Sequence, residues 1–290
     1  MKKIGIMPNL LKDEALCMTK EVIEWLEKYA FEIVVAKSLG EVLGESLTSK
    51  FEVLEEKQLF RVCDAIIAIG GDGTILSVAQ RACHTQIPII GINLGRLGFL
   101  ADIESTDMQR LMDKLLDTSY TIEERMMLAI KVIEPSGETH YFEALNDVSI
   151  TRSNFSRITE FEVQVNNQFV DFYAADGLLV ATPTGSTAYN LSAGGPIVSP
   201  SAKVMILTPV CPHTIASRPI VVADTDHILV KTYNHNGTQL ELAVDGQTKG
   251  FITPRHKIEI EKAAYTTKLI KLQQQDFFDI LRKKIVERHR

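Results

Sequence analysis

Apolar residues follow two different rhythms along this chain. In the first part, short continuous apolar runs alternate with segments of helical period. Residues 3–7 form such a run and end at Pro8-Asn9, a turn pair. Residues 14–29 then carry Leu16, Val22, Ile23, Leu26 and Tyr29 among charges, which is the spacing of an amphipathic helix. The alternation repeats. Runs at 31–36, 64–69 and 87–92 predict strands, and the spacing predicts helices over 74–83 and 108–116. Continuous apolar strands separated by amphipathic helices indicate a parallel sheet covered on both faces. Residues 1–124 therefore read as an N-terminal, Rossmann-like α/β domain.

The rhythm changes near Glu123-Glu124-Arg125. Short β-rich segments follow at 127–133, 139–145, 158–165, 178–182, 204–208, 220–222, 228–232, 239–244 and 257–261. Asn166-Asn167, between two such segments, predicts a tight hairpin. Residues 125–272 read as a C-terminal β-rich domain. A last helical period places Phe277, Ile280, Leu281 and Ile285 on one face. That helix, within 273–290, needs an apolar surface to cover, and the first domain could supply it.

Composition narrows the classes. The chain has 290 residues, 45% hydrophobic and 23% charged, which suits a folded globular protein rather than a disordered one. The net charge is −6, without the basic excess expected of a nucleic-acid binder. No run approaches the length of a membrane span. Cys17, Cys63, Cys83 and Cys211 are scattered, with no zinc or disulfide spacing, as in a cytoplasmic protein with reduced thiols.

Chemistry concentrates in two places. In Gly70-Gly71-Asp72-Gly73-Thr74 a buried strand ends in a glycine turn and a helix follows. Glycines admit close approach to an anion, and the helix start adds free N–H groups and the positive end of a dipole. The spacing is neither that of a P-loop nor Gly-x-Gly-x-x-Gly. Asp72 inside the turn either caps backbone donors or takes a proton, or a metal ion, beside phosphates. The second place begins at Asp176 and continues through the hydroxyl- and glycine-rich stretch 184–196, which suits dense hydrogen bonding to a sugar, base or phosphate. Tyr189 could stack on a base. Asn146-Asp147 reads as a turn pair, or as an amide and an acid facing a nucleoside. Arg96 reads as a phosphate contact or a surface ion pair. Asp245-Gly246-Gln247 reads as a turn.

Together these motifs resemble the NAD kinases. The Gly70 to Thr74 motif is shared with diacylglycerol-type lipid kinases and more loosely with phosphofructokinases, whereas the run 176–200 is far more specific. The segments 93–100 and 123–128, Asn146-Asp147, and the stretch from Pro212-His213 to Arg218-Pro219 match in order, so the resemblance covers nearly the whole chain. It implies a two-domain fold of the NAD kinase/diacylglycerol kinase type with NAD held between the domains. It implies transfer of the ATP γ-phosphoryl group to the adenosine 2′-hydroxyl of NAD, with Mg²⁺ or another divalent ion on the donor. Homodimers or homotetramers are implied as well. Asp72 becomes the proton acceptor. NAD contacts carry over to Asp72, Gly73, Asn146, Asp147, Arg157, Ala174, Asp176, Thr187, Ala188, Tyr189, Asn190, Leu191, Ser192 and Gln247. Gly70, Gly71, Gly73, Thr74 and Arg96 are left for phosphate.

Overall fold

The computed structural model describes residues 1–95, 98–101, 103–153, 158–233, 239–272 and 277–286. The chain divides into two compact units. Residues 1–124 and 267–290 form one, and residues 125–266 the other. The sequence reading ended the β-rich part at 272, but the border falls inside a single strand, at 266/267.

The first unit is built on parallel strands β1 (Lys3–Pro8), β2 (Glu32–Ala36), β3 (Glu52–Leu54), β4 (Ala65–Gly70), β5 (Ile89–Asn93) and the short β6 (Ile103–Glu104). Their order across the sheet is β3-β2-β1-β4-β5, with β6 beside β5. All of these pairs are parallel. Every residue of β4 and β5 is buried, which explains why they read as unbroken apolar runs. Helices Asp13–Lys28 and Met108–Leu116 lay Ala15, Met18, Val22, Ile23, Leu26, Leu111, Met112 and Leu115 into one core with Ile4, Ile6, Ile67, Ile69 and Ile90. The strand order reverses between β1 and β4. In open α/β sheets, ligands bind beyond the carboxyl ends of the strands at such a reversal. Here that place holds Pro8-Asn9 and Gly70-Gly71, joined by Asn9 N–H donating to Ile69 O at 2.9 Å.

The second unit takes β7 (Thr121–Ile133) from residue 125, then β8 (Thr139–Ala144), β9 (Asp147–Arg152), β10 (Thr159–Val165), β11 (Gln168–Ala175), β12 (Gly177–Ala181), β13 (Val204–Val210), β14 (Ile220–Ala223), β15 (Ile228–Tyr233), β16 (Leu240–Val244), β17 (Gln247–Ile252) and most of β18 (Lys257–Lys271). One sheet has the order β14-β13-β12-β9-β16-β17, antiparallel throughout. The other includes β11-β10-β15-β18, with β7 and β8. Their facing side chains form one core, with Phe161, Val163, Val230 and Ile258 from one sheet and Val148, Leu178, Val180, Leu207 and Leu242 from the other. Asn166 and Asn167 both adopt positive φ, 51° and 64°, in the tight β10–β11 hairpin that the sequence predicts.

The last helix, Phe277–Val286, belongs to the first unit. Phe277 packs on Phe99 with ring centroids 6.0 Å apart, and Lys284 Nζ lies 4.5 Å from the centre of the Phe99 ring. Among the described residues no helix is long and apolar enough to cross a membrane.

Candidate active site

The glycine turn lies at the end of β4, where the strand order reverses. Helix Asp72–Ala82 starts directly after it, with Gly71 as N-cap and Asp72 as first residue. Thr74 N–H donates to Gly71 O at 2.9 Å and closes the first turn. A side chain at Gly70 would put its Cβ 2.2 Å from Thr74 Oγ1, so the fold itself needs glycine there. A Cβ at Gly71 or Gly73 would meet nothing within 4 Å. Those two glycines face open space, as suits a backbone that a phosphate approaches.

Asp72 does not cap its own helix. Its Oδ2 accepts from Phe99 N–H at 2.9 Å, and its Oδ1 accepts from Leu100 and Ala101 N–H at 3.2 and 3.4 Å. The carboxylate therefore gathers three consecutive donors of a loop 27 to 29 residues further on. Gly98 makes this approach possible, since a Cβ there would sit 1.8 Å from Asp72 Oδ1. Arg96, the candidate phosphate contact of the same stretch, lies outside the described residues.

The second unit has its own cluster. Thr182 N–H donates to Asn146 O at 2.8 Å, and Thr182 Oγ1 donates to Leu145 O at 2.6 Å. From Thr184 the chain makes a 3₁₀ turn, Thr184–Thr187, and a short helix, Tyr189–Ser192. It then folds back over the outer face of the six-stranded sheet, with Ala193 and Val198 packed on Leu179, Ala181, Ile206 and Val210. Gly185 lies against the backbone of Asn146. Tyr189 is 39% exposed. Its hydroxyl is pushed up from the ordinary tyrosine value, first by burial and then by Cys211, Asp147 and Asp176 nearby.

The side chain of Asn190, one of the expected NAD contacts, is turned into the protein. It is 0% exposed. Its Nδ2 donates to Ser186 O at 3.1 Å and Pro196 O at 3.0 Å, while its Oδ1 accepts from Thr208 Oγ1 at 2.7 Å. Both its amide nitrogen and its oxygen bond within the protein, so the side chain pins the loop.

The antiparallel register sorts the other candidates to two ends of β9 and β12. Asp147 pairs with Ala181 at one end, beside Asn146 and the loop; Thr151 pairs with Gly177 at the other, beside Asp176. The two ends are about 13 Å apart, the rise over a five-residue strand. At the far end Asp176 Oδ1 lies 3.0 Å from Arg152 Nη2 and 3.7 Å from His213 Nε2. The contact with Arg152 is a close ion pair, which holds the Asp176 carboxylate at this end of the strand. Ala174 O accepts from His213 N–H at 2.8 Å, which ties the 211–213 stretch to this end. Gln247 is exposed at the start of β17, and its Oε1 accepts from Lys249 Nζ at 3.0 Å. Arg157 lies outside the described residues. Gly98, Thr182 and His213 lie in stretches that match the family without roles of their own in the sequence, and Arg152 lies in none; their contacts come from the fold.

Asp147 is 4% exposed. Burial, and then the Asp245 carboxylate, push its carboxyl up to about 7. An aspartate in an unfolded chain titrates near about 3.9. Between those values the folded state holds a proton that the unfolded state has released. The stability from this group is complete below the unfolded value and is lost as pH rises through the folded one. The slope is at most about 1.4 kcal/mol per pH unit. Urea unfolding of the wild type should therefore show stability falling between about pH 4 and 7, and Asp147→Asn should flatten that fall. An identical slope in the variant would assign it to other groups.

A parallel sheet with an anion-ready turn at its reversal, and a β-rich unit carrying a dense polar loop, fit a phosphotransferase acting on nucleotides. Known proteins narrow the class. Residues 4–120 match the ATP-NAD kinase N-terminal domain and residues 145–272 the ATP-NAD kinase C-terminal domain. The NAD kinase of Caldanaerobacter subterraneus subsp. tengcongensis is 44% identical over 99% of this chain and 100% of its own. That of Syntrophotalea carbinolica is 37% identical over 98% of both. Among solved structures, yeast NADH kinase complexed with NADH has a TM-score of 0.90 at 24% identity, covering 98% of this chain and 87% of its own. An NAD kinase from Archaeoglobus fulgidus in complex with ATP has a TM-score of 0.72 at 24% identity and covers 98% of both chains. These two likenesses concern the fold. The chain belongs to the NAD kinases, enzymes that phosphorylate NAD to NADP with ATP as donor.

Proposed function

We propose that Asp72 accepts the proton of the adenosine 2′-hydroxyl of NAD as the γ-phosphoryl group of ATP moves to that oxygen. The O–H bond breaks, a new O–P bond forms, and ADP leaves with the electrons of the old P–O bond. The observation that carries this reading is the hold on Asp72. A carboxylate has about four acceptor positions. Three are filled by the N–H groups of Phe99, Leu100 and Ala101. The remaining position, on Oδ2, is fixed in direction and, among the described residues, left to take a hydroxyl proton. Positioning and electrostatics supply most of the acceleration in phosphoryl transfer.

In this reading the helix start at Asp72 and Gly73 offers N–H groups to the phosphates, with Gly70, Gly71 and Thr74 shaping the turn. Arg96 adds a charge to the phosphates. Asn146 and Asp147 take the adenosine half. Backbone and exposed side chains of Thr187, Ala188, Tyr189, Leu191 and Ser192 orient NAD, with the Tyr189 ring against a base. Arg157, Ala174, Asp176 and Gln247 complete its contacts. Asp72 belongs to no cluster of three or more metal-ligating side chains among the described residues. A divalent ion would come with ATP and neutralise charge on its phosphates. The enzyme works as a homodimer or homotetramer, a mass that light scattering reads. Its four free cysteines suit the reducing cytoplasm.

The test is direct. Purified protein is incubated with NAD, ATP and Mg²⁺, and NADP is read with an NADP-specific dehydrogenase, for wild type and Asp72→Asn in parallel. An Asp72→Asn enzyme that turns over like the wild type removes Asp72 from the chemistry. Gly98→Ala probes the same hold from the other side. The added Cβ would overlap the Asp72 carboxylate, which can swing away without disturbing the core. Turnover should fall about tenfold or more, since positioned proton acceptors contribute at least that much. The melting temperature should fall moderately, because the bonds to the 99–101 N–H groups go with the carboxylate. A large drop in melting temperature with unchanged turnover would make Gly98 a residue of stability alone.

A further inference from the structure

The Asp245-Gly246 turn between β16 and β17 does more than reverse the chain. Both residues have positive φ, 49° and 74°, as a two-residue hairpin of this kind requires. Asparagine or glycine at the first position meets that requirement as well as aspartate does. The Asp245 side chain, however, reaches across to the bend between β8 and β9. Its Oδ2 accepts from Leu145 N–H at 2.9 Å, and its Oδ1 accepts from Asn146 N–H at 2.7 Å and Asp147 N–H at 3.1 Å. Asp245 N–H in turn donates to Asp147 O at 2.9 Å.

Three successive N–H groups of extended chain would ordinarily alternate in direction, and buried ones need partners. Here the bend turns all three toward one carboxylate. Such charge-assisted bonds are about twice as strong as neutral ones. On the other side of the same segment, Thr182 and Gly185 hold its carbonyls and backbone. The segment is thus fixed from both sides, and the direction in which Asn146 and Asp147 present their side chains is fixed with it.

We propose that Asp245 is a positioning residue of the NAD site, holding Asn146 and Asp147 in register for the adenosine half through three N–H···O bonds. The inference rests on the reading of Asn146 and Asp147 as NAD contacts.

The test compares Asp245→Gly, Asp245→Asn and Asn146→Ala with the wild type, measuring KM for NAD and KM for ATP separately. Asp245→Gly keeps the turn and removes the carboxylate. KM for NAD should rise about 10- to 100-fold, the range expected from losing hydrogen bonds to a charged group. KM for ATP should stay within about twofold, since these bonds act only on the NAD side. Asp245→Asn should fall between, because its one oxygen can still accept from Asn146 and Asp147 while its amide opposes the Leu145 N–H. A residue serving the turn alone gives a different order, with Asn and Gly at least as good as Asp. KM for NAD unchanged in both Asp245 variants, with Asn146→Ala raised, overturns the role of Asp245 only. KM unchanged in Asn146→Ala removes the NAD contact and this inference with it. Should Asp245→Gly fail to fold, the position of Asp245→Asn between wild type and Asn146→Ala carries the decision.

Discussion

Asp72→Asn lowers kcat by about two to four orders of magnitude, the range that a general base contributes, while NAD binding changes only a few-fold. The substitution keeps size and shape and removes the acceptor. It also has a second effect that must be separated from the first. The amide nitrogen would face Phe99 N–H, donor against donor, so one of the three bonds to the loop is lost. If Asp72 served only to hold that loop, Asp72→Asn and Gly98→Ala would lose turnover alike, each with a matching loss of stability. If it takes the proton, Asp72→Asn falls far below Gly98→Ala. Steady-state kinetics of both variants, with melting temperatures and equilibrium NAD binding alongside, decide between the two roles.

Gly185→Ala destabilises the second unit by about 3 kcal/mol or more, at the upper end of overpacking costs. A Cβ at this position would lie 2.1 Å from Asn146 O, 2.5 Å from its carbonyl carbon and 2.8 Å from its Cα. All three are backbone atoms of a segment fixed by Thr182 and Asp245, so no side chain can rotate away. Relief requires the 3₁₀ turn to separate from the bend before β9. Gly185 N–H, which donates to Thr182 Oγ1 at 3.1 Å, would move with it. The expected result is a lower urea midpoint together with a large rise in KM for NAD. An unfolding curve that overlays the wild type would show that the loop can move at no cost, contrary to the packing described here. The contrast with Gly98 is instructive. There the added atom meets the end of a side chain, and catalysis suffers more than stability.

The parallel sheet was legible because β4 and β5 are buried on both faces, which produces unbroken apolar runs. Helices Met108–Leu116 and Phe277–Val286 were legible from period alone. The strand Glu52–Leu54 was not, because it is a short, largely exposed edge with a burial pattern no different from a loop. β18 was read only as far as residue 261, where Glu261 and Lys262 are both exposed and break the alternation. In the candidate site, the glycine turn and the polar loop were visible as local composition. The partners of their key groups were not. Nothing near Asp72 in the sequence indicates that its acceptors meet the N–H groups of 99–101, and nothing near Asp245 indicates a bend 98 to 100 residues earlier. Asn190 shows the converse. It sits in the most recognisable run of the chain, yet its side chain is consumed by the loop that carries it.

The first unit is discontinuous, and this sets an order of events on the ribosome. Its β1–β5 sheet and Asp72 are made within the first 124 residues. Leu269, which pairs with Ile89 at the sheet edge, and Phe277, which packs on the Phe99 whose N–H holds Asp72, are made only after the whole second unit has been synthesised. The second unit, one continuous stretch from 125 to 266, has every residue it needs earlier. A nascent chain interrupted anywhere between the two therefore carries Asp72 without the brace behind it. The part of the protein translated first is the part completed last.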